Sequence, residues 1–112
     1  IKIYRENKVV YIHLRETISF LTVDEIKKQI YDFIDEDDNV VVINLSEVDF
    51  IDSAGLGLLI SLLKYMKGHN GKMIVEYPKL GVQRLLEITR LDELFEVKKK
   101  AEPKTGSWSE FM

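Results

Sequence analysis

Val40-Val41-Val42-Ile43 is an unbroken β-branched run with no polar alternation. Such a run suits a strand buried on both faces of a largely parallel sheet, because a half-solvated strand alternates apolar with polar residues. The next residues narrow the choice further. Asn44 to Asp52 reads as a polar turn, and Leu58 to Met66 is apolar enough and long enough for a helix. The turn delivers Asp52 and Ser53 to the N-terminus of that helix. Both residue types are favoured there, since their side-chain oxygens accept hydrogen bonds from the unpaired amides of the first turn.

Gly55 and Gly57 then sit in the first turn, where each costs on the order of 1 kcal/mol relative to alanine. Close approach by a neighbouring element or a partner would offset that cost. Helical stepping places Leu59, Leu62, Leu63 and Met66 on a core-seeking stripe. Leu56, Gly57, Ile60 and Lys64 lie on the side shared with Ser53. Leu56 and Ile60 are therefore surplus to the core, and a hydroxyl among surplus apolar residues reads as a docking surface that can be switched.

The chain before this stretch opens with two strands, Ile1 to Arg5 and Val9 to Leu14, joined by Glu6-Asn7-Lys8 as an edge hairpin. Val10, Ile12 and Leu14 share one strand face, and His13 falls on the other with no sequence neighbour to pair with. Arg15 to Leu21 is a connection. Thr22 and Glu25 have capping-box spacing, ahead of a helix whose inward face is Val23, Ile26, Ile30, Phe33 and Ile34. Glu36-Asp37-Asp38-Asn39 lacks the spaced ligands and turn glycine of a calcium loop, and reads as a solvated loop.

After the central helix, Lys67 to Gly71 is a turn in which Gly68 or Gly71 is available for a left-handed helix end. Lys72 to Tyr77 is a strand, stopped by Pro78. Val82, Leu85, Leu86, Thr89, Leu91, Leu94 and Phe95 form a second amphipathic face, and Glu96 to Lys100 a short edge strand. The division expected is a domain over residues 1–100 and a tail over 101–112. In that tail Trp108 and Phe111 belong to a shortened or incomplete terminal helix.

A chain of 112 residues makes one compact domain. Its net charge of −3 argues against direct nucleic-acid binding, which needs a concentrated basic surface. Lys98-Lys99-Lys100 is the only basic run, and it reads as protection of a sheet edge. Cysteine is absent, so disulfides, thiolate metal sites and cysteine nucleophiles are excluded. The longest apolar run, Leu56 to Leu63, is too short to cross a bilayer, so membrane insertion is not expected. The chain opens directly into strand-like sequence, and a cytoplasmic location is expected. Its first residue is not Met, so its start is expected to be incomplete or processed.

Ser53 has three chemical readings. As a helix cap it contributes about 1 kcal/mol. As a hydrolase nucleophile it needs a base and an orienting acid. The nucleophile-elbow pattern also needs glycine two residues earlier, where this chain has Ile51. The third reading is a phosphoacceptor. Glycines near a helix start also raise nucleotide binding, but no lysine follows as in a P-loop. No cofactor or metal is expected.

Asp52-Ser53-Ala54-Gly55-Leu56-Gly57, set after a hydrophobic strand, resembles the signature of the STAS domain, and within it the bacterial anti-sigma factor antagonists. The likeness runs from about Val9 to Val97 in the order and spacing of elements. It implies a single α/β domain with a mixed four- or five-stranded sheet and helices packed on one side. It also implies phosphorylation at Ser53 and a partner surface of Asp52, Ser53, Leu56, Gly57, Ile60 and Ser19. The implied partners are an anti-sigma factor with serine kinase activity and a serine phosphatase. The protein itself would be a non-enzymatic monomer or weak dimer. A structural STAS subunit of a larger assembly is the alternative. Two connections depart from the family pattern. A glycine and an acidic residue usual near the phosphorylation site are here Glu16 and Ser19, and a glycine before Leu91 is replaced by Arg90.

Overall fold

The computed structural model describes residues 1–99. Five strands form one sheet in the order β1-β2-β3-β4-β5: Lys2–Glu6, Val9–His13, Val40–Asn44, Lys72–Glu76 and Glu96–Lys98. β1 runs antiparallel to β2, and every other pair is parallel. The helices α1 (Val23–Phe33), α2 (Ser53–Lys67) and α3 (Leu80–Ile88) fill the three crossovers. Each crossover steps to the next strand in the same direction, and such connections are right-handed, so all three helices fall on one face of the sheet. This is the expected mixed α/β architecture.

The core lies between that face and the helices. Val10, Ile12, Val41, Ile43, Met73 and Val75 from the strands meet Ile26, Ile30, Leu59, Leu62, Met66, Val82 and Leu86 from the helices. The stripe expected of α2 is the buried one. Val42, between Val41 and Ile43, points the other way and is 7% exposed. No helix among the described residues packs on its side, yet Val42 is buried as Val41 and Ile43 are, which is the two-sided burial expected of the β3 run.

Several local expectations are corrected. The β1–β2 loop is the two residues Asn7 and Lys8, with φ of 51° and 64°, which matches a primed hairpin turn. Thr22 makes no capping hydrogen bond to α1. Its hydroxyl instead accepts from the Ser19 amide at 3.0 Å and donates to the Thr17 carbonyl at 2.8 Å, which ties the preceding loop together. Neither Gly68 nor Gly71 is left-handed; Asn70 is, with φ of 60°. Gly71 answers a different need, since a Cβ there would lie 2.7 Å from Met66 Cε and 2.9 Å from the Asn39 carbonyl oxygen.

The acidic loop is not wholly solvated. Asp38 is 3% exposed and receives Arg5 bidentately, Nε to Oδ1 at 2.7 Å and Nη2 to Oδ2 at 2.8 Å. The Asp35 amide donates to it as well, at 2.8 Å. The hydrogen bonds from the Arg5 guanidinium, chief among these, hold the Asp38 carboxyl below the usual carboxylate range. Arg5 also donates to the Phe33 carbonyl at 2.9 Å, so one side chain of the edge strand closes the C-terminal end of α1.

A short 3₁₀ turn, Leu91–Glu93, links α3 to β5, and Arg90 before it has φ of 61° and ψ of 21°. The left-handed conformation costs a residue with a Cβ about 1–2 kcal/mol, a cost that glycine avoids. Arg90→Gly is therefore expected to raise unfolding free energy by about 1 kcal/mol. The Arg90–Glu93 contact that it removes is exposed and contributes little. Urea titration checks this, and an unchanged or lower midpoint would show that Arg90 is held by contacts worth more than the strain. Residues 101–112, with Trp108 and Phe111, and Lys100 of the expected last strand lie outside the described residues.

Candidate functional site

The site is built where two loops meet at the C-terminal edge of the sheet. Between β2 and α1, Ile18 is fully buried, and it forms a parallel bridge with Ile51 of the β3–α2 loop. The Ile18 amide donates to the Phe50 carbonyl and the Asp52 amide to the Ile18 carbonyl, each at 3.1 Å. This bridge seats the Ser19-containing loop against the start of α2. Gly55 makes the contact possible. A Cβ at Gly55 would stand 2.6 Å from both the Ile18 carbonyl oxygen and Ile51 Cγ2. Gly57 has nothing within 4 Å of the same position and faces solvent.

Asp52, not Ser53, is the cap of α2. Its Oδ1 accepts from the Ala54 amide at 2.9 Å and the Gly55 amide at 3.1 Å, and its Oδ2 accepts from the Phe20 amide at 3.0 Å. One carboxylate thus joins both loops. The Phe20 amide, followed by those of Gly55 and Ala54, holds the Asp52 carboxyl below its ordinary range, so it remains ionised near neutrality. It thereby already accepts from two amides of the helix start, those of Ala54 and Gly55.

Ser53 is the first residue of α2, exposed, and free of the capping role that its residue type allows. Leu56 and Ile60 are half-buried and pack at the margin of the core, so they are less surplus than their helical positions imply. The more exposed apolar surface comes from residues that sequence reasoning left in connections. Phe20, Leu21 and Phe50 are 71%, 80% and 57% exposed. Phe20 and Leu21 follow Ser19 on the seated loop, and Phe50 stands two residues before Asp52. The signal for them was a pair of large apolar residues directly before a helix cap and another inside a polar turn, positions a solvated connection does not need to fill that way.

Ser19 is half-buried and structural in its polar atoms. Its hydroxyl accepts from the Leu21 amide at 3.2 Å, and its carbonyl accepts from the Thr22 and Val23 amides. The histidines do not converge on Ser53. His13 Nε2 lies 2.6 Å from Glu47 Oε2 without a well-formed hydrogen bond, and His69 Nδ1 lies 2.6 Å from the Tyr65 carbonyl oxygen at the far end of α2. Among the described residues no group of acidic and histidine side chains is placed to hold a metal ion, and no helix is long and apolar enough to cross a membrane. The arrangement offers an accessible hydroxyl beside a fixed carboxylate, flanked by apolar side chains.

Residues 1–103 match the family described as the STAS domain. A Thermotoga neapolitana protein, provisionally named an anti-sigma factor antagonist homologue, is 33% identical over 72 residues. The match covers 63% of this chain and spans 64% of that relative's length. The anti-sigma-B factor antagonist of Listeria monocytogenes is 26% identical over 94 residues, 84% of this chain and 82% of its own. Among solved structures, the Bacillus cell fate determinant SpoIIAA in its phosphorylated form shares the fold. Its TM-score is 0.69 at 17% identity, with 99% of this chain and 98% of that one covered.

Proposed function

The chain belongs to the STAS domain family, and on that premise we propose that it is an anti-sigma factor antagonist that works by partner switching. Unphosphorylated, it binds an anti-sigma factor with serine kinase activity and so frees the sigma factor for transcription. Phosphorylation at Ser53 releases it, and a serine phosphatase resets it. The chain is then a kinase substrate and a binding module with no catalysis of its own. The names of the Thermotoga and Listeria relatives support the partner class, and the phosphorylated Bacillus structure supports the modification by analogy of fold.

The observation that carries this reading is an exposed Ser53 hydroxyl at the first residue of α2, beside Asp52 and close in the chain to the exposed Phe50. The Asp52–Phe20 hydrogen bond brings Phe20 and Leu21 to the same place. A phosphate adds roughly −1.5 to −2 charge there. A partner covering Phe20, Leu21 and Phe50 would have to desolvate that dianion next to a carboxylate that is already ionised, at a cost greater than a few apolar contacts return. The fold need not change, since the capping amides stay with Asp52.

Incubation with the cognate kinase and ATP is expected to add one phosphate, and Ser53→Ala to prevent it. Because Ser53 is not the cap, the alanine variant should unfold within about 0.5 kcal/mol of the parent and keep its affinity. Ser53→Asp should weaken binding at least about tenfold, or about 1.4 kcal/mol. Equal affinity for both variants by calorimetry would remove Ser53 from the switch.

A further inference from the structure

The face of the sheet that carries no helix among the described residues has a pattern of its own. The strand registers align Tyr4, Tyr11, Val42 and Ile74 in one row across β1, β2, β3 and β4. Tyr4 and Tyr11 stack with ring centres 4.9 Å apart, and Tyr4 is 47% exposed. Two further rows border this one. On the side of the sheet's C-terminal edge the registers place Lys2, His13, Asn44, Glu76 and, beside Glu76 on the edge strand, Lys98; on the opposite side they place Glu6, Val9, Val40 and Lys72. None of the four joins the cluster between sheet and helices; Val42 and Ile74 are nonetheless only 7% and 8% exposed, so Tyr4 and Tyr11 supply most of the row's accessible surface.

Within one strand the two bordering charges are opposite: Lys2 against Glu6 on β1, and Glu76 against Lys72 on β4. This is the arrangement a two-fold axis lying along the apolar row requires. Rotation about that axis turns a second copy face-on with its strands reversed, and lays each upper-row residue over the lower-row residue of the same strand. Lys2 then meets Glu6 of the partner subunit, and Glu76 meets Lys72 of the partner subunit, each contact occurring twice. Tyr4 and Tyr11, the accessible part of the row, face their own copies, as facing sheets do with nearly aligned strands. Glu96 ends the row and, at the sheet's edge, keeps its carboxylate in water.

We propose that the helix-free face is a homodimer interface, formed by a second copy of this chain about a two-fold axis along the Tyr4–Tyr11–Val42–Ile74 row. The charge pattern selects this occupant, because a face that was merely solvated has no need to place opposite charges symmetrically about an apolar line. The patch is about 20 Å by about 16 Å from strand spacing and rise. That is well under the roughly 800 Å² per partner of a standard interface, so the dimer is weak and concentration-dependent. Strand reversal sends the two Ser53 sites to opposite ends of the dimer, where both remain open. The proposal does not depend on what Ser53 does.

The test is sedimentation of the full chain from about 10 µM to about 1 mM, where the average mass should climb from monomer toward dimer. Lys72→Glu and Glu76→Lys should each weaken self-association at least about tenfold, since each sets like charges opposite one another. The two variants mixed should restore it, because in the mixed pair every contact is again of opposite sign. Far-ultraviolet circular dichroism confirms that both variants fold. A chain that stays monomeric at the highest concentration, single variants that associate like the parent, a mixture that fails to recover, or a species larger than a dimer would each overturn the proposal. So would a chain ending at Lys99 that dimerises when the full chain does not, which would give this face to residues 100–112.

Discussion

Gly55→Val is expected to lower the unfolding free energy by about 3 kcal/mol or more, the upper end of what overpacking produces. The reason is the neighbour that the new side chain meets. Ile18's carbonyl oxygen, 2.6 Å from the would-be Cβ, is backbone that already accepts the Asp52 amide. It cannot withdraw without breaking the Ile18–Ile51 bridge, and with it the seat of Phe20 and Leu21. Gly55→Ala suffers the same contact with one methyl group, and the gain in helix propensity of about 1 kcal/mol does not offset it. Gly57→Ala, two residues on, has open space and should gain roughly 0.5–1 kcal/mol. Opposite signs within one helical turn are the expected result of chemical denaturation. If Gly55→Val loses under about 1 kcal/mol, the loop is free to shift and the bridge does not position the site.

The second large effect is expected in the core. Leu62 is fully buried on α2, within the cluster that joins the helices to the sheet. Leu62→Ala removes apolar contact and leaves a cavity, and should cost about 2–5 kcal/mol. The position in that range depends on how far Leu59, Met66 and the strand residues close in. Equilibrium urea unfolding of parent and variant, with unchanged slope, gives the number. A loss below the range would mean that the helix rotates enough to refill the space.

The parts of this fold legible in the residues were those decided by local periodicity. The β-branched run from Val40, the stripe Leu59, Leu62, Leu63 and Met66, and the alternation of Val10, Ile12 and Leu14 each report the face of one element, and no distant partner is needed to read them. The misses have the opposite character. Asp52 and Ser53 are adjacent and both able to cap; only the register of α2 against the Ile18 loop decides between them. Thr22 and Glu25 have the spacing of a capping box, but the Thr22 hydroxyl is already engaged by Ser19 and Thr17. The acidic loop reads as solvated until Arg5, thirty-three positions away, reaches Asp38. Phe20, Leu21 and Phe50 were hidden for the same cause. Their exposure follows from a bridge between residues 18 and 51, and no single stretch of sequence contains it. Left-handed Asn70 and Arg90 are set by how the chain must turn to meet the next element, with glycine close by in one case and absent in the other.

The strand order carries a further consequence, for how the chain assembles. Spatial order equals chain order from β1 to β5, so every strand docks on the free edge left by the strand made just before it. None has to be inserted between two partners that are already paired, and none waits for a segment from the far end of the chain. Pairing distances along the chain stay moderate: Val9 to Val40, Val40 to Lys72, and Ile74 to Glu96. Loop closure therefore exacts its entropy in similar instalments rather than in one large step. Folding can advance with synthesis from the amino end, each β-α unit extending a surface that is already formed. The β1–β2 hairpin, closed by its two-residue turn, is the natural template on which the rest of the sheet grows.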